Sequence, residues 1–415
     1  MHQQRVQDLN LDEEIAQDES YYARRWGYDC HQHNVTTQDG YILKMYRFAQ
    51  KRKIPCAAGN SERRKSVLIG HGLFQCSGNL VLNEKDSLVF ALVDEGYDVW
   101  TGNNRAVGSL EHTCLSSEDD SYWEWGLKEL ALYDFPAMLE YIYEATGQEK
   151  ASQSHSQGNA QVFIALSLQP ELANKMSCFI ALAPAVVSGA LVTTYPLRAL
   201  IHMNKKVFRL LFGKKAFLEI MTTAQQYLPP SLMCTLAYSV FSYLFTWWDS
   251  HWVQRRKIKY FQFTPRPVST RLILDWLEGW GRQGVCLHVT NTINQNNNSN
   301  NVFERIPLAI IYGENDYLVD SAAFVRSFKG YENHGLMEEK GSRPSHQHQQ
   351  HGLPPSSTST ETQHSFSFPS LELVHVERIP AYEHMDPIWA HDSRFTTNPV
   401  IYDVLKKAKW KTDRL

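Results

Sequence analysis

Five residues, Ser154-His155-Ser156-Gln157-Gly158, constrain this chain more than any other stretch. They read as a Ser-x-Ser-x-Gly version of the nucleophile elbow Gly-x-Ser-x-Gly. In that turn a strand runs straight into a helix, and the serine sits at the tip with strained backbone angles and an exposed hydroxyl. Strand and helix crowd each other there, so the positions two before and two after the serine must be small. Gly158 meets that demand and Ser154 meets it less well. The following run Asn159 to Leu166 suits a helix starting on the elbow. The preceding Ala151-Ser152-Gln153 is polar, although central parallel strands are almost wholly apolar. Five residues are a weak signal alone, so the rest of the chain must supply a sheet and partners for the serine.

The flanking sequence has the required rhythm. Val35 to Arg47 reads as a β-hairpin around Gln38-Asp39-Gly40. Val67-Leu68-Ile69-Gly70 is a short apolar strand leading into His71-Gly72-Leu73-Phe74, residues 88–93 are helical, and Tyr97-Asp98-Val99-Trp100 is another strand. Leu127 to Tyr143 has helical spacing and leads to the elbow; Phe179 to Pro184 is the next strand. Strands alternating with helices predict an α/β fold with a mostly parallel sheet, its first core part over 21–185 after a disordered leader at 1–20. Over 186–290 the rhythm stops and Leu, Phe, Tyr and Trp at helical spacing predict an inserted helical cap. An asparagine-rich linker (291–301) and a His/Gln/Ser/Pro-rich tract (331–369) cannot bury enough apolar surface to order themselves and are expected to be disordered. Core segments resume at 302–330, with the strand Ile306 to Tyr312, and at 370–415, with the strand Leu371 to Val376.

Composition excludes several classes. Across 415 residues the formal net charge is −3, so bulk electrostatics favour neither nucleic acid nor an acidic partner. The seven cysteines are odd in number and lack paired spacing, which predicts reduced intracellular thiols. No apolar run near the N-terminus has signal-peptide length. His346, His348 and His351 lie in a flexible tract without Cys or acidic ligands at fixed spacing, so no metal is expected there.

Acyl transfer by a serine needs a base, a group that orients the base, and donors for the oxyanion. The chain order for an elbow serine is Ser, then Asp or Glu, then His, each on a loop after a strand. Ser156, Asp316 and His384 meet that order. Eight histidines lie beyond Asp316. Five fall in the polar tract, His375 lies inside a strand and His391 follows a helix start, which leaves His384 on the post-strand loop. Asp316 competes with Asp320 and is preferred because it is nearer the strand end. His71-Gly72-Leu73 offers the Leu73 amide to the oxyanion, and the residue after the serine offers the Gln157 amide.

These residues, with Trp26-Gly27-Tyr28, Thr37 to Leu43, Gly96 to Trp100, Gly102-Asn103-Asn104-Arg105, Tyr133 to Ala137, Thr146-Gly147-Gln148 and Glu383-His384-Met385-Asp386, make the chain resemble the acid lipase family of α/β-hydrolases. That family includes gastric and lysosomal lipases and fungal steryl ester hydrolases. The chain looks most like the fungal enzymes, although their hydrophobic N-terminal anchor is not seen. The resemblance implies an α/β-hydrolase fold and a triad at Ser156, Asp316 and His384, with oxyanion amides at Leu73 and Gln157. It also implies a cofactor-free esterase acting on sterol esters or triacylglycerols, intracellular and bound to lipid droplets or membranes through its cap.

Ser231 to Trp248 is apolar enough to suggest a membrane span. A single crossing there would put Ser156 on one side and Asp316 with His384 on the other. The spanning and hydrolase readings therefore exclude one another. A third reading, a lipid-binding descendant with impaired catalysis, rests on the polar strand before the elbow.

Overall fold

The computed structural model describes residues 14–51, 64–147, 150–217, 219–280, 284, 305–328 and 368–408. Residues 1–13, the asparagine-rich linker, most of the second polar tract with His346, His348 and His351, and Cys56 and Cys286 lie outside the described residues.

Helix α1 (Glu19–Trp26) starts on Asp18, whose side chain accepts from the Ser20 amide, and stops at Gly27 in the left-handed conformation. Strands β1 (Tyr28–Thr36) and β2 (Ile42–Gln50) pair antiparallel in the register Thr36 to Ile42. The hairpin is thus the expected one, with strands running further back and further on than the alternation alone indicates. Strands β3 (Ser66–Gly70) and β4 (Asp98–Gly102) flank α2 (Leu88–Asp94), and α3 (Phe135–Thr146) leads to β5 (Lys150–His155). Helix α4 (Gln157–Leu168) is followed by β6 (Met176–Leu182), and β7 (Ile306–Gly313) and β8 (Leu371–Ile379) complete an eight-stranded sheet of order β1-β2-β4-β3-β5-β6-β7-β8.

From β4 through β8 the pairing is parallel. β4 and β6 are buried along their whole length, as strands covered on both faces must be. β5 sits between β3 and β6 despite its polar residues. Its register on β6 shifts by one, Lys150 facing Met176 and Ala151 facing Cys178. The extra residue on β6 forms a bulge at the strand entrance, away from the elbow.

Between β6 and β7 the chain forms α5 (Leu197–Ile201), α6 (Lys205–Phe212), α7 (Glu219–Tyr227), α8 (Pro230–Phe245), α9 (Gln254–Phe263) and α10 (Thr270–Trp280). α8 carries the apolar stretch that suggested a span, and it ends at Phe245 with Thr246 in a left-handed conformation. Among the described residues no helix is long and apolar enough to cross a membrane.

One buried network ties the distant resemblance motifs together. The Arg105 guanidinium, 1% exposed, donates to Asp134 at 2.6 and 2.9 Å and to Asp39 at 2.7 and 3.0 Å. It lies 3.9 Å over the Tyr41 ring. The hairpin turn, the loop after β4 and the approach to α3 are therefore locked by one side chain beside the site.

Candidate active site

Ser156 follows β5 and precedes α4 with φ 52° and ψ −114°. This is a conformation that L-residues avoid and that surrounding structure must impose. Its amide donates to the Leu182 carbonyl at 3.0 Å, and its carbonyl accepts from Asn159 at 3.1 Å. A Cβ at Gly158 would lie 2.7 Å from the His71 carbonyl oxygen and 3.2 Å from the Ser154 Cβ. The crowding therefore falls on position 158, where glycine is required. Ser154 is accommodated, buried against Gly158, so the elbow forms without a glycine at 154.

His384, five residues beyond β8, is 2% exposed. Its Nε2 lies 2.7 Å from Ser156 Oγ and its Nδ1 2.7 Å from Asp316 Oδ2. The other oxygen of Asp316 accepts from the amides of Leu318 and Val319 at 3.0 and 3.1 Å, which holds the carboxylate in one orientation. Asp320 accepts from the Ala323 amide at 2.7 Å and caps α11 (Ser321–Arg326) instead. Ser156, Asp316 and His384 thus meet at one rim of the sheet, and Asp320 does not join them.

The turn after β3 packs directly on the serine. His71 Nδ1 donates to the Gly72 carbonyl at 2.8 Å, and the Asn104 amide donates to His71 Nε2 at 3.2 Å. Burial lowers the His71 pKa to about 4, so this neutral tautomer is the one present. A Cβ on Gly72 would stand 3.1 Å from Ser156 Cβ and 2.6 Å from Gln75 Oε1. Glycine there lets the Leu73 backbone approach the serine, and Leu73 lines the pocket at Ser156. Gln157, as the first residue of α4, carries an N–H that a helix leaves without an internal partner.

Several side chains around this rim escaped the sequence reading. His155 places Nε2 2.9 Å from the His384 carbonyl and Nδ1 3.2 Å from Gln75 Oε1, joining the elbow to the base loop. Burial, then the neighbouring His384, lowers its pKa to about 3. Trp247 stacks on His384 with ring centroids 6.1 Å apart and 13° between planes. Trp276 donates from Nε1 to Gln157 Oε1 at 2.8 Å. His155 was visible inside the elbow pattern, but no periodicity tells which way a turn residue faces; the two tryptophans reach the site only through the packing of α8 and α10.

A small pocket at Ser156 adjoins an apolar cavity of about 310 Å³ among α5, α6, α7, α8 and α10. Leu73, Phe74, Phe245, Trp276 and Trp280 line both spaces. Elsewhere, His251, His391 and Asp392 bring ligand-type atoms within 4.8 Å of one another. His391 Nδ1 is engaged with the His251 carbonyl and Asp392 with the Tyr382 hydroxyl.

A family model described as a partial alpha/beta-hydrolase lipase region matches residues 19–84. Human lipase member K is 40% identical over 211 residues, 50% of this chain and 52% of the relative. Sterol esterase 2 of Saccharomyces cerevisiae is 30% identical over 283 residues, 65% of this chain and 51% of the relative. The chain thus spans about half the length of these curated relatives. A crystal structure from Sulfolobus solfataricus shares the fold at a TM-score of 0.53 and 14% identity, over 92% of this chain and 95% of that one. The mostly parallel sheet with a strand-elbow-helix at its centre is an α/β-hydrolase fold. Within that class, the family match and these relatives support a place for the chain in the acid lipase family.

Proposed function

We propose that the protein is a carboxylic ester hydrolase that cleaves lipid esters, with sterol esters or triacylglycerols as substrates. The observation that carries this reading is the bridging position of His384, 2.7 Å from both Ser156 Oγ and Asp316 Oδ2. His384 Nε2 takes the Ser156 proton as Oγ attacks the ester carbonyl, and Asp316 orients the ring and offsets its developing charge. The amides of Leu73 and Gln157 hold the oxyanion; losing such a donor costs about 10²- to 10³-fold in rate. His384 then protonates the departing alcohol. Water, deprotonated by the same ring, releases the fatty acid from the acyl-serine.

The cavity supports this substrate class. Its lining is almost wholly Leu, Ile, Phe, Val, Met and Trp, which suits a hydrocarbon chain or sterol. Relatives named lipase and sterol esterase support the same class. Residues 186–290 act as the cap, and their outer face is read as the surface that meets a lipid droplet or membrane. Leu210 (84% exposed), Tyr227 (80%) and Ile220 (74%) stand on it, and α6 sets Leu210 and Leu211 beside Lys206 and Arg209, the composition of an interfacial helix.

Labelling with a fluorophosphonate tests the reading. The wild-type chain is expected to label and to release fatty acid from cholesteryl oleate or triolein, and Ser156→Ala to lose both. An unlabelled wild type that still binds these lipids would instead be a lipid carrier.

A further inference from the structure

The strongest unexplained contact near Ser156 comes from the cap. Polar contacts tie α10 and its start to the core: the Ser269 hydroxyl donates to the Trp125 carbonyl, Arg271 donates to the Glu124 carbonyl at 2.9 Å, and Asp275 Oδ2 accepts from the Leu127 amide at 2.9 Å. Along the same helix, Ile273, Trp276, Leu277 and Trp280 recur at one-turn spacing and line the apolar cavity. Of these four, only Trp276 and Trp280 also line the pocket at Ser156. The Trp276 indole N–H donates at 2.8 Å to the side chain of Gln157, the residue whose amide is proposed above to hold the oxyanion. Both residues are 2% exposed. A buried indole N–H normally finds a partner, and here that partner is on the elbow itself.

We propose that Trp276 is a positioning residue for the oxyanion site. Its N–H holds the Gln157 side chain, and through it the first turn of α4, so that the Gln157 amide stays aimed at the place where the oxyanion forms. The same ring is a wall of the chain-binding cavity, which joins substrate occupancy of the cap to transition-state stabilisation at the serine. This rests on the hydrolase reading above. The physical basis is that an oxyanion donor acts only if it is held in place before the charge develops.

Trp276→Phe keeps most of the ring and removes the N–H; Gln157→Leu removes the acceptor from the other side. Each is measured for kcat and KM on p-nitrophenyl acetate, whose acyl group is too short to enter the cavity. Each is also measured for the rate of phosphonylation by a fluorophosphonate. Either substitution should lower the acetate kcat about tenfold, slow phosphonylation in step, and leave KM within about twofold. Combined, they should cost little more than one alone, because both break the same contact. A purely structural wall would spare the acetate kcat and raise KM only for long-chain esters, or the two substitutions would add; either result overturns the proposal. If one variant does not fold, the other carries the test. A wild type that neither labels nor cleaves the acetate overturns the hydrolase reading itself, whereas an active wild type with unaffected variants overturns only the role of Trp276.

Discussion

At the sheet rim, Asp316 engages both oxygens, His384 both ring nitrogens, and the Ser156 backbone is pinned on each side of the elbow. The helices above it are held differently. Phe241 stacks on Trp247 at 5.3 Å and 6°, Phe208 on Phe217 at 6.0 Å and 3°, and the outer faces leave large apolar side chains in solvent. Directional bonds set positions to a few tenths of an ångström and tolerate almost no change of group. Apolar contacts set volume and shape, and tolerate any residue that fills the same space. The reaction should therefore be encoded by a few irreplaceable residues, and the substrate preference by many replaceable ones.

The contrast is sharpest at the acid. Asp316→Asn should lower kcat about 10⁴-fold by leaving His384 in the wrong tautomer, while Asp320→Asn should change it by less than about twofold; steady-state hydrolysis of a soluble ester reads both. Next in size is the network beneath the rim. Arg105→Ala leaves Asp134 buried without its cation and should destabilise the fold by about 3–5 kcal/mol, measured by urea unfolding. On the apolar side the expected effect is smaller and selective. Leu277→Trp intrudes on the cavity and should lower kcat/KM for long-chain esters about tenfold, leaving the acetate ester unchanged. Similar losses on both esters would break the proposed division.

The smallest effect lies where the two regions join. Glu383, the residue before His384, accepts from the Trp248 amide at 2.7 Å. Burial raises its pKa to about 8, and raises that of Asp386 to about 6. Both groups bind a proton more tightly in the folded state, so the folded state loses stability as pH rises from the ordinary carboxylate value toward 8. Glu383→Gln keeps an acceptor for Trp248 and should flatten that decline. Thermal scans are expected to show a higher midpoint than wild type at pH 8 and an unchanged one at pH 4.5.

Much of the rim is legible in the sequence. An elbow announces itself through small residues at fixed offsets, and Asp316 and His384 follow apolar strands at short distances, so order and local geometry selected them. The polar β5 was misleading: it takes a central place in the sheet, with a one-residue shift against β6 that no linear pattern expresses. The apolar stretch now in α8 was ambiguous for a similar reason, since periodicity cannot distinguish a helix packed on protein from one packed on lipid. His155 was in plain view but without direction, while Trp247 and Trp276 lie about 90 and 120 positions from the serine they adjoin.

Fold class, the order of the three rim residues and the need for glycine at 158 were already contained in the linear chain, because each depends on neighbours within a few positions. Where the cavity opens and which indole grips Gln157 were decided by packing. Those contacts join segments far apart along the backbone, and their energy depends on distance and angle, which residue spacing does not carry.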